Sequence, residues 1–213
     1  MRIGILGTGM MAAALGGRWA VAGHDIAVAG RSPDKARALA AELGRGVRAT
    51  TVAEATVGAD AVLLAVAFDG VEEILRDAES AGTLAGTTLI DPTNAVEHGV
   101  GLHRLPTGTS AARHIAGLAP GAHVVKAFHL LPATHWTEPT AIGATVPICG
   151  DDLGALRVTE TLIRDAGAEP AVLGGLDRAR QLEEAAGFVI GLVFQGFDPR
   201  TAVPHVRVAA PTV

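Results

Sequence analysis

Short apolar runs alternate with alanine-rich stretches along the first two-thirds of the chain, and this alternation restricts its possible folds more than any other feature. The apolar runs predict strands at residues 3–6, 26–29, 61–67, 88–91, 124–128 and 146–149. Helices are predicted between them at residues 10–22, 33–43 and 70–78. Strands that are apolar at consecutive positions are typical of a sheet covered on both faces. The pattern therefore predicts an α/β fold, doubly wound around a mostly parallel sheet.

The last third of the chain has a different pattern. Asp151 is a candidate cap for a helix that runs to about residue 166, and a strand at 170–173 and a helix at 177–197 are expected to follow. This last helix is apolar nearly all round after Glu184, so either the same chain or a second copy is expected to bury it. We expect a small α-rich C-terminal domain at residues 151–213 that closes the site of a larger domain, residues 1–150, and forms a homodimer.

The composition excludes several classes of function. A net charge of −5 lacks the basic excess that phosphate backbones demand, and an aromatic content of 3% leaves few faces for stacking bases. The apolar stretch 185–194 is shorter than the ~20 residues that cross a bilayer, and no signal peptide is recognisable. We therefore expect a soluble, cytoplasmic protein that acts on small molecules, without nucleic-acid or membrane partners. No metal site is expected, because no zinc-ligand spacing joins Cys149 to His103, His114, His123 or His135.

Residues 7–12, Gly-Thr-Gly-Met-Met-Ala, match the G-x-G-x-x-G/A turn that follows a strand and opens a helix. Gly7 permits the tight turn, Gly9 lets the backbone approach a pyrophosphate, and Ala12 lets the helix pack close to the strand. Free N–H groups at the start of this helix favour phosphate. The motif predicts a Rossmann-type dinucleotide-binding domain over residues 1–150. Its predicted cofactor contacts here are Gly7, Thr8, Gly9, Met10 and Met11.

The end of the second strand distinguishes NADP(H) from NAD(H). A NAD site usually places an acidic residue on the ribose hydroxyl about 20 residues after the glycine turn, whereas this chain has Arg31 in that region. Arg31 offers a planar fork to a phosphate, Ser32 adds a hydroxyl and Lys35 adds a positive charge. The set favours NADP(H); the alternative is that these are solvated charges at a helix start.

Ala65, Val66 and Ala67 close the predicted strand 61–67 and are expected to border the ribose and nicotinamide. In the next strand end, Asp91 and Asn94 either bind the nicotinamide ribose or amide, or form an ordinary Asp-Pro-Thr-Asn turn.

The segment at residues 126–132, Lys-Ala-Phe-His-Leu-Leu-Pro, ends another predicted strand and is expected near the reactive ring. Ala127 is a candidate cofactor contact there. His129 is the catalytic candidate, either as a donor that positions the reactants or as a group that takes part in proton chemistry. Phe128 is expected to emerge beside it.

Five stretches, RIGILGTGMMA, AGRSPDKA, DPTNAV, KAFHLLPA and VPICGDD, together resemble the F420H2:NADP oxidoreductase family, and the likeness covers nearly the whole chain. Members of that family exchange hydride between NADP(H) and the deazaflavin coenzyme F420. A short C-terminal domain closes over the nicotinamide, and the deazaflavin ring lies against it. The resemblance implies that Thr8, Arg31 and Ser32 contact NADP and that His129 lies near the two rings.

The chain departs from this family in two respects. The segment RARQLEEAAGF places Glu183 and Glu184 where family members often have small hydroxyl residues, and few aromatic side chains besides Phe128 and Trp136 are available to a deazaflavin. The anionic tail of F420 would need a basic patch, for which two groups are candidates if they are not simply solvated surface. The first group is His103, Arg104, Arg113 and His114, and the second is Arg200 and Arg207.

Two other functions remain open from the residues. One is an NADPH-dependent reductase of a small imine or carbonyl, in which His129 or water would protonate the product. The other is a non-catalytic NADP-binding sensor or subunit.

Overall fold

The structure, a computed structural model, describes residues 1–44, 46–80, 82–137 and 143–204. Its strands are β1 (Arg2–Leu6), β2 (Asp25–Ala29), β3 (Val47–Ala49), β4 (Ala61–Leu64), β5 (Thr88–Asp91), β6 (His123–Lys126), β7 (Thr145–Gly150) and β8 (Glu169–Val172). Its helices are α1 (Met10–Val21), α2 (Pro33–Leu43), α3 (Val52–Thr56), α4 (Val71–Ser80), α5 (Ala111–Leu118), α6 (Ala133–Thr137), α7 (Leu153–Asp165) and α8 (Ala179–Phe194). Short 3-10 turns precede α4 and α8 and follow α8.

The described strands form one sheet in the order β3-β2-β1-β4-β5-β6-β7-β8. Neighbouring strands are parallel except β6 and β7, which are antiparallel. The first six strands have the order of the doubly wound dinucleotide fold, in which ligands bind where the chain reverses direction across the sheet, here between β1 and β4. The predicted α/β fold with a mostly parallel sheet is confirmed.

Two apolar cores cover the two faces of the sheet, because successive residues of a strand point to opposite sides. In β4, Ala61 and Leu63 pack toward α1, α2 and α7, whereas Val62 and Leu64 pack toward α3, α4, α5 and α8. All four side chains are fully buried. Burial on both faces explains why the strand sequences lack polar alternation.

Several elements differ from the sequence prediction. The strand predicted at 61–67 ends at Leu64, and the one predicted at 124–128 ends at Lys126. Phe128 has a φ of 60°, which an extended strand does not tolerate. The prediction omitted β3, α3, α5 and α6, which contain eight residues or fewer and therefore give weak periodic signals.

The C-terminal third adds to the same sheet. Residues of α7, including Leu156 and Leu162, belong to the core on the α1 side, and β8 lies beside β7. The expected boundary at residue 150 thus falls inside a continuous sheet. A separate domain over 151–213 that closes the site stays a prediction, and its residues 205–213 lie outside the described part of the chain.

The loop between β5 and α5, which we call the crossing loop, packs against α8 with the two backbones in direct contact. A Cβ atom built on Gly101 would lie 2.0 Å from the carbonyl oxygen of Gly187, and one on Gly191 would lie 2.9 Å from that of Val100. Only glycines permit so close an approach. Beyond the crossing the described residues do not bury α8 as expected, since Phe188 and Phe194 are both half exposed.

A buried ion network holds α8 to the sheet. The Lys126 ammonium lies 2.9 Å from Oδ2 of Asp91 and 3.0 Å from Oε1 of Glu183, and it also donates to the carbonyl oxygen of Thr93. The three side chains that carry charge are completely buried. Three acceptors therefore match the three N–H donors of the lysine.

Glu183 accepts further hydrogen bonds from α5 and from the crossing loop. Its carboxylate accepts from the backbone N–H groups of Ala111 and Ala112, at 2.8 and 3.2 Å, where α5 begins. The ring of His103 lies 2.8 Å from Oε2 through Nε2, and its Nδ1 accepts from the Leu105 N–H. Since Nδ1 is an acceptor, the neutral ring donates through Nε2.

The charge of Glu183 is stabilised despite its burial. Burial raises the pKa of Glu183, but the Lys126 charge and the Ala111 N–H oppose it, and the net pKa lies below its ordinary value. Removing one partner of such a network leaves a buried charge without compensation.

We therefore expect Lys126→Met to lower the free energy of unfolding by about 3–5 kcal/mol, because Asp91 and Glu183 would then be buried without their shared cation. Urea unfolding followed by the fluorescence of buried Trp19 and Trp136 measures the change. The matched control is Arg48→Gln, which removes a half-exposed pair with Asp25 and should cost less than about 1 kcal/mol. Equal effects of the two substitutions would contradict this account of the network.

Candidate functional site

A cavity of about 660 Å³ lies at the carboxyl ends of β1, β2 and β4. Three short segments line it: the turn after β1, the start of α2, and the residues that lead from β4 into α4. The lining residues are Gly7, Thr8, Gly9, Gly30, Arg31, Ser32, Lys35, Ala65, Val66, Ala67, Asp69, Gly70 and Ile74. Nine candidates from three separate parts of the sequence thus meet in one cavity, at the edge where doubly wound sheets bind ligands.

The turn after β1 has the geometry that its glycines require. Gly7 has a φ of 129°, its N–H donates to the Ala29 carbonyl at 2.7 Å, and a Cβ there would lie 2.1 Å from the Ala65 carbonyl oxygen. A Cβ on Gly9, by contrast, would meet nothing within 4 Å. Gly7 is therefore needed for the turn itself, and Gly9 leaves open space on the cavity side of the helix start.

The start of α1 differs from the starts of four other helices in the described chain. Side-chain oxygens of Ser32, Thr51, Ser110 and Asp152 cap α2, α3, α5 and α7, whereas no side chain caps α1 at Gly9. The first N–H groups of a helix have no partner inside the helix and carry part of its positive dipole. At α1 these groups start beside the cavity, which fits a phosphate there.

The start of α2 brings cationic and hydroxyl groups to the same cavity. The Ser32 oxygen accepts from the Lys35 N–H at 3.3 Å, which leaves its own proton available to a ligand. Arg31 is 78% exposed and lies 3.5 Å from a Glu73 carboxylate oxygen, a contact too exposed to fix the guanidinium. No acidic side chain follows β2 at residues 30–33, so the group suits a phosphate better than a ribose hydroxyl.

Four cofactor candidates lie outside this cavity: Met10, Met11, Ala127 and Asn94. Met10 is exposed and lines a neighbouring cavity of about 390 Å³ between α1 and α2, and Met11 packs against the core. Ala127 is fully buried, and its N–H donates to the Asp91 carbonyl at 3.1 Å. The side chain of Ala127 therefore lies inside the protein, and that of Met11 is partly buried against the core.

His129 and Asn94 form a pair at the ends of β5 and β6. The Asn94 amide donates to the His129 carbonyl at 2.7 Å, while Oδ1 of Asn94 and both ring nitrogens of His129 have no hydrogen-bond partner among the described residues. Neither residue lines the 660 Å³ cavity. Burial, with a smaller contribution from the Lys126 charge, lowers the pKa of His129 to about 3. The ring is therefore neutral at physiological pH and is not an imidazolium acid.

Asp91 is not available as the ribose ligand that the sequence allowed. Its carboxylate accepts from the Thr93 N–H and hydroxyl at 2.8 and 2.7 Å and from Lys126. For Asp91 the structure shows the turn, in which its side chain accepts from the Thr93 N–H, whereas a binding role for Asn94 stays a prediction. No role was predicted for Lys126, although a lone lysine at the end of an apolar strand is itself a signal of a buried partner.

The two expected ring partners are also unavailable. Phe128 and Trp136 are almost fully buried and stack edge to face, with centroids 5.3 Å apart, and Trp19 packs on Phe128 in the same way. Phe128 does not emerge beside the cavity, since its side chain is buried in the core, on a backbone with a φ of 60°. An expectation based on strand direction alone is wrong here.

Most residues of the two candidate basic patches contact acidic side chains. His103 is buried on Glu183, while Arg104, His114 and Arg200 lie within 3.2 Å of Asp69, Glu72 and Asp198. Arg207 lies outside the described residues. These pairs leave Arg113 as the member of the first group for which no acidic partner is identified among the described residues.

Comparisons with known proteins, like the residues that line the cavity, support the binding of NADP(H). Residues 2–95 match the family described as NADP oxidoreductase, coenzyme F420-dependent, which confirms the resemblance over that part of the chain and supports NADP(H) binding there. The metalloreductase STEAP3 of Rattus norvegicus is 31% identical over 185 residues, 85% of this chain. The chain spans only 36% of the length of that relative.

Solved structures share the fold over most of their length. A hypothetical protein of Sinorhizobium meliloti is 27% identical with a TM-score of 0.74, covering 84% of this chain and 88% of that one. A proposed F420-dependent NADP reductase of Arthrobacter sp. FB24 is 24% identical with a TM-score of 0.77, covering 87% of this chain and 90% of that one.

Within the described residues, no helix has both the length and the apolar character needed to cross a membrane.

The buried, neutral state of His129 predicts a pH dependence of stability. The pKa of His129 is about 3 in the folded chain and about 6.5 in the unfolded chain. Its burial therefore does not reduce the free energy of unfolding above pH 6.5, but lowers it progressively as the pH falls from 6.5 toward 3. We expect this residue to contribute a slope of about 1.4 kcal/mol per pH unit in that window. Urea unfolding of the wild type and of His129→Gln, from pH 7 to pH 4.5, should show a shallower loss in the variant. Parallel pH profiles would refute the assignment.

Proposed function

We propose that the chain binds NADP(H) in the 660 Å³ cavity and exchanges hydride between the bound nicotinamide and coenzyme F420. One observation supports this most directly: Arg31, Ser32 and Lys35 line the same cavity as the uncapped start of α1. A dinucleotide that carries a third phosphate on its adenosine ribose needs both of these anion-binding groups, one for the pyrophosphate and one for the ribose phosphate.

The residues present fit such a cofactor. The α1 N–H groups and the space at Gly9 would hold the pyrophosphate, and the Arg31 fork with the Ser32 hydroxyl would hold the ribose phosphate. Ala65, Val66 and Ala67 form a side-chain-poor wall along which the ribose and nicotinamide would extend. The nicotinamide supplies the hydride, and the protein has to align the two rings and exclude water.

The second half of the proposal is that coenzyme F420 is the second substrate. The match of residues 2–95 to an F420-dependent family supports a deazaflavin, and so does the neutral His129, since hydride exchange between two rings requires alignment more than an acid. A small imine or carbonyl needs a proton on the product. His129 is neutral and is not an imidazolium acid at physiological pH, so water would have to supply the proton in that alternative.

A two-stage experiment tests the proposal. In the first stage, wild-type protein should bind NADPH more tightly than NADH, and Arg31→Ala should weaken NADPH by roughly 10- to 100-fold while changing NADH little. In the second stage, protein with NADPH and oxidised F420 should bleach the deazaflavin absorbance as NADPH is consumed. Arg48→Ala, a similar exposed arginine remote from the cavity, is the control for both stages.

Each negative result would exclude a different part of the proposal. Equal affinities for NADPH and NADH would overturn the cofactor assignment. NADPH binding without F420 turnover would reject F420, and a panel of imines and carbonyls would then separate the alternative reductase from a protein that only binds NADP(H).

We also propose that two copies of the chain associate through the exposed apolar face of α8. Phe188 lines a groove with Val100 and Leu102 of the crossing loop. Phe188, Val193 and Phe194 of α8 and Phe197 just beyond it are each more than half exposed. Exposed aromatic and aliphatic side chains concentrated in one patch are typical of an interface.

Light scattering at micromolar concentration should give twice the chain mass of 21.6 kDa for the wild type. Phe188→Asp should shift the mass to that of one chain, because a carboxylate would be desolvated at the contact. The control is Val21→Asp, which changes an isolated exposed side chain at the end of α1 and should leave the mass unchanged. A monomeric wild type would rule out the dimer.

A further inference from the structure

The contact between Arg31 and Glu73 links two of the segments that border the cavity. Arg31 belongs to the lining segment that follows β2, and Glu73 lies in the first turn of α4, next to Ile74, which also lines the cavity. The guanidinium nitrogen Nη1 lies 3.5 Å from Oε2 of Glu73. Both side chains are more than half exposed, so the contact is free to open.

This arrangement puts a carboxylate where a phosphate would compete with it. The residue best suited to bind the ribose phosphate is the same residue that contacts Glu73, and the guanidinium fork cannot present the same edge to both anions. Glu73 would also remain within several ångströms of a bound phosphate and would repel it. The two effects have the same sign, since each weakens binding of the phosphorylated dinucleotide.

We propose that Glu73 is a specificity-determining residue that weakens NADP(H) binding by competing with the ribose phosphate for Arg31. This inference rests on the proposed binding of NADP(H) in the cavity, but not on F420 as the second substrate. NADH shares the pyrophosphate and lacks only the ribose phosphate. The ratio of the two affinities therefore isolates the effect of Glu73 on that one group.

The neighbouring residue provides a matched control. Glu72 precedes Glu73 in the same helical turn and has the same charge, but its carboxylate lies 3.2 Å from Nε2 of His114 and contacts neither Arg31 nor the cavity. Glu72→Gln and Glu73→Gln change the net charge equally. A general effect of removing negative charge would appear in both variants, whereas competition for Arg31 would appear in one.

The test is direct titration of wild type, Glu73→Gln and Glu72→Gln with NADPH and with NADH, at low and at high salt. Glu73→Gln should tighten NADPH by roughly 3- to 10-fold at low ionic strength, change NADH by less than about 2-fold, and lose most of its effect near 0.5 M salt. Glu72→Gln should leave the affinity ratio unchanged. Circular dichroism checks that both exposed substitutions preserve the fold.

An unchanged or weaker NADPH affinity in Glu73→Gln would overturn the inference, and so would equal shifts for both dinucleotides or for both variants. These results leave the proposed function intact, because the wild type would still bind NADPH. A wild type that binds no NADPH would overturn both. Absence of F420 turnover has no bearing on this experiment, since its readout is binding.

Discussion

The ammonium group of Lys126 is the point at which the separate parts of this chain meet. It neutralises one carboxylate from the end of β5 and another from α8, and the second of these also binds the start of α5 and His103 of the crossing loop. Apolar packing alone does not specify where a helix sits along a sheet edge, because it has no direction. A network in which every donor and acceptor is matched does specify it, since any displacement leaves a buried charge unpaired.

The two ends of the candidate dinucleotide site use different sources of positive charge. At the α1 end the charge is fixed, because it comes from backbone N–H groups that the helix itself leaves free. At the α2 end it resides on long, exposed side chains that have to be ordered when a ligand binds, at a cost in conformational entropy. In the proposed binding mode, recognition of the pyrophosphate would therefore come from the fold itself, whereas recognition of the adenosine end would depend on a few replaceable residues.

Much of the fold and part of the site followed from the sequence because their signals are local. The glycine turn, the Ser-Pro start of α2 and the long buried strands each occupy a few consecutive residues with one physical reason for their composition. Ser32 does cap α2, as that pattern suggests. The predictions failed where a residue has a distant partner. Nothing near Asp91 in the sequence indicates that its carboxylate will pair with Lys126, which Glu183 also contacts, and nothing near Phe128 indicates that its side chain will lie in the core.

The glycine crossing between the β5–α5 loop and α8 has a consequence for how this chain tolerates change. Gly101 of the loop and Gly187 and Gly191 of α8 hold two backbones at a separation that no side chain permits. A methyl group at Gly101 or Gly187 would lift the loop and draw the ring of His103 away from Glu183. A surface loop usually accumulates substitutions freely. This one is constrained as tightly as a core segment, so variation in α8 and in the loop is possible only at positions beside the crossing and not at it.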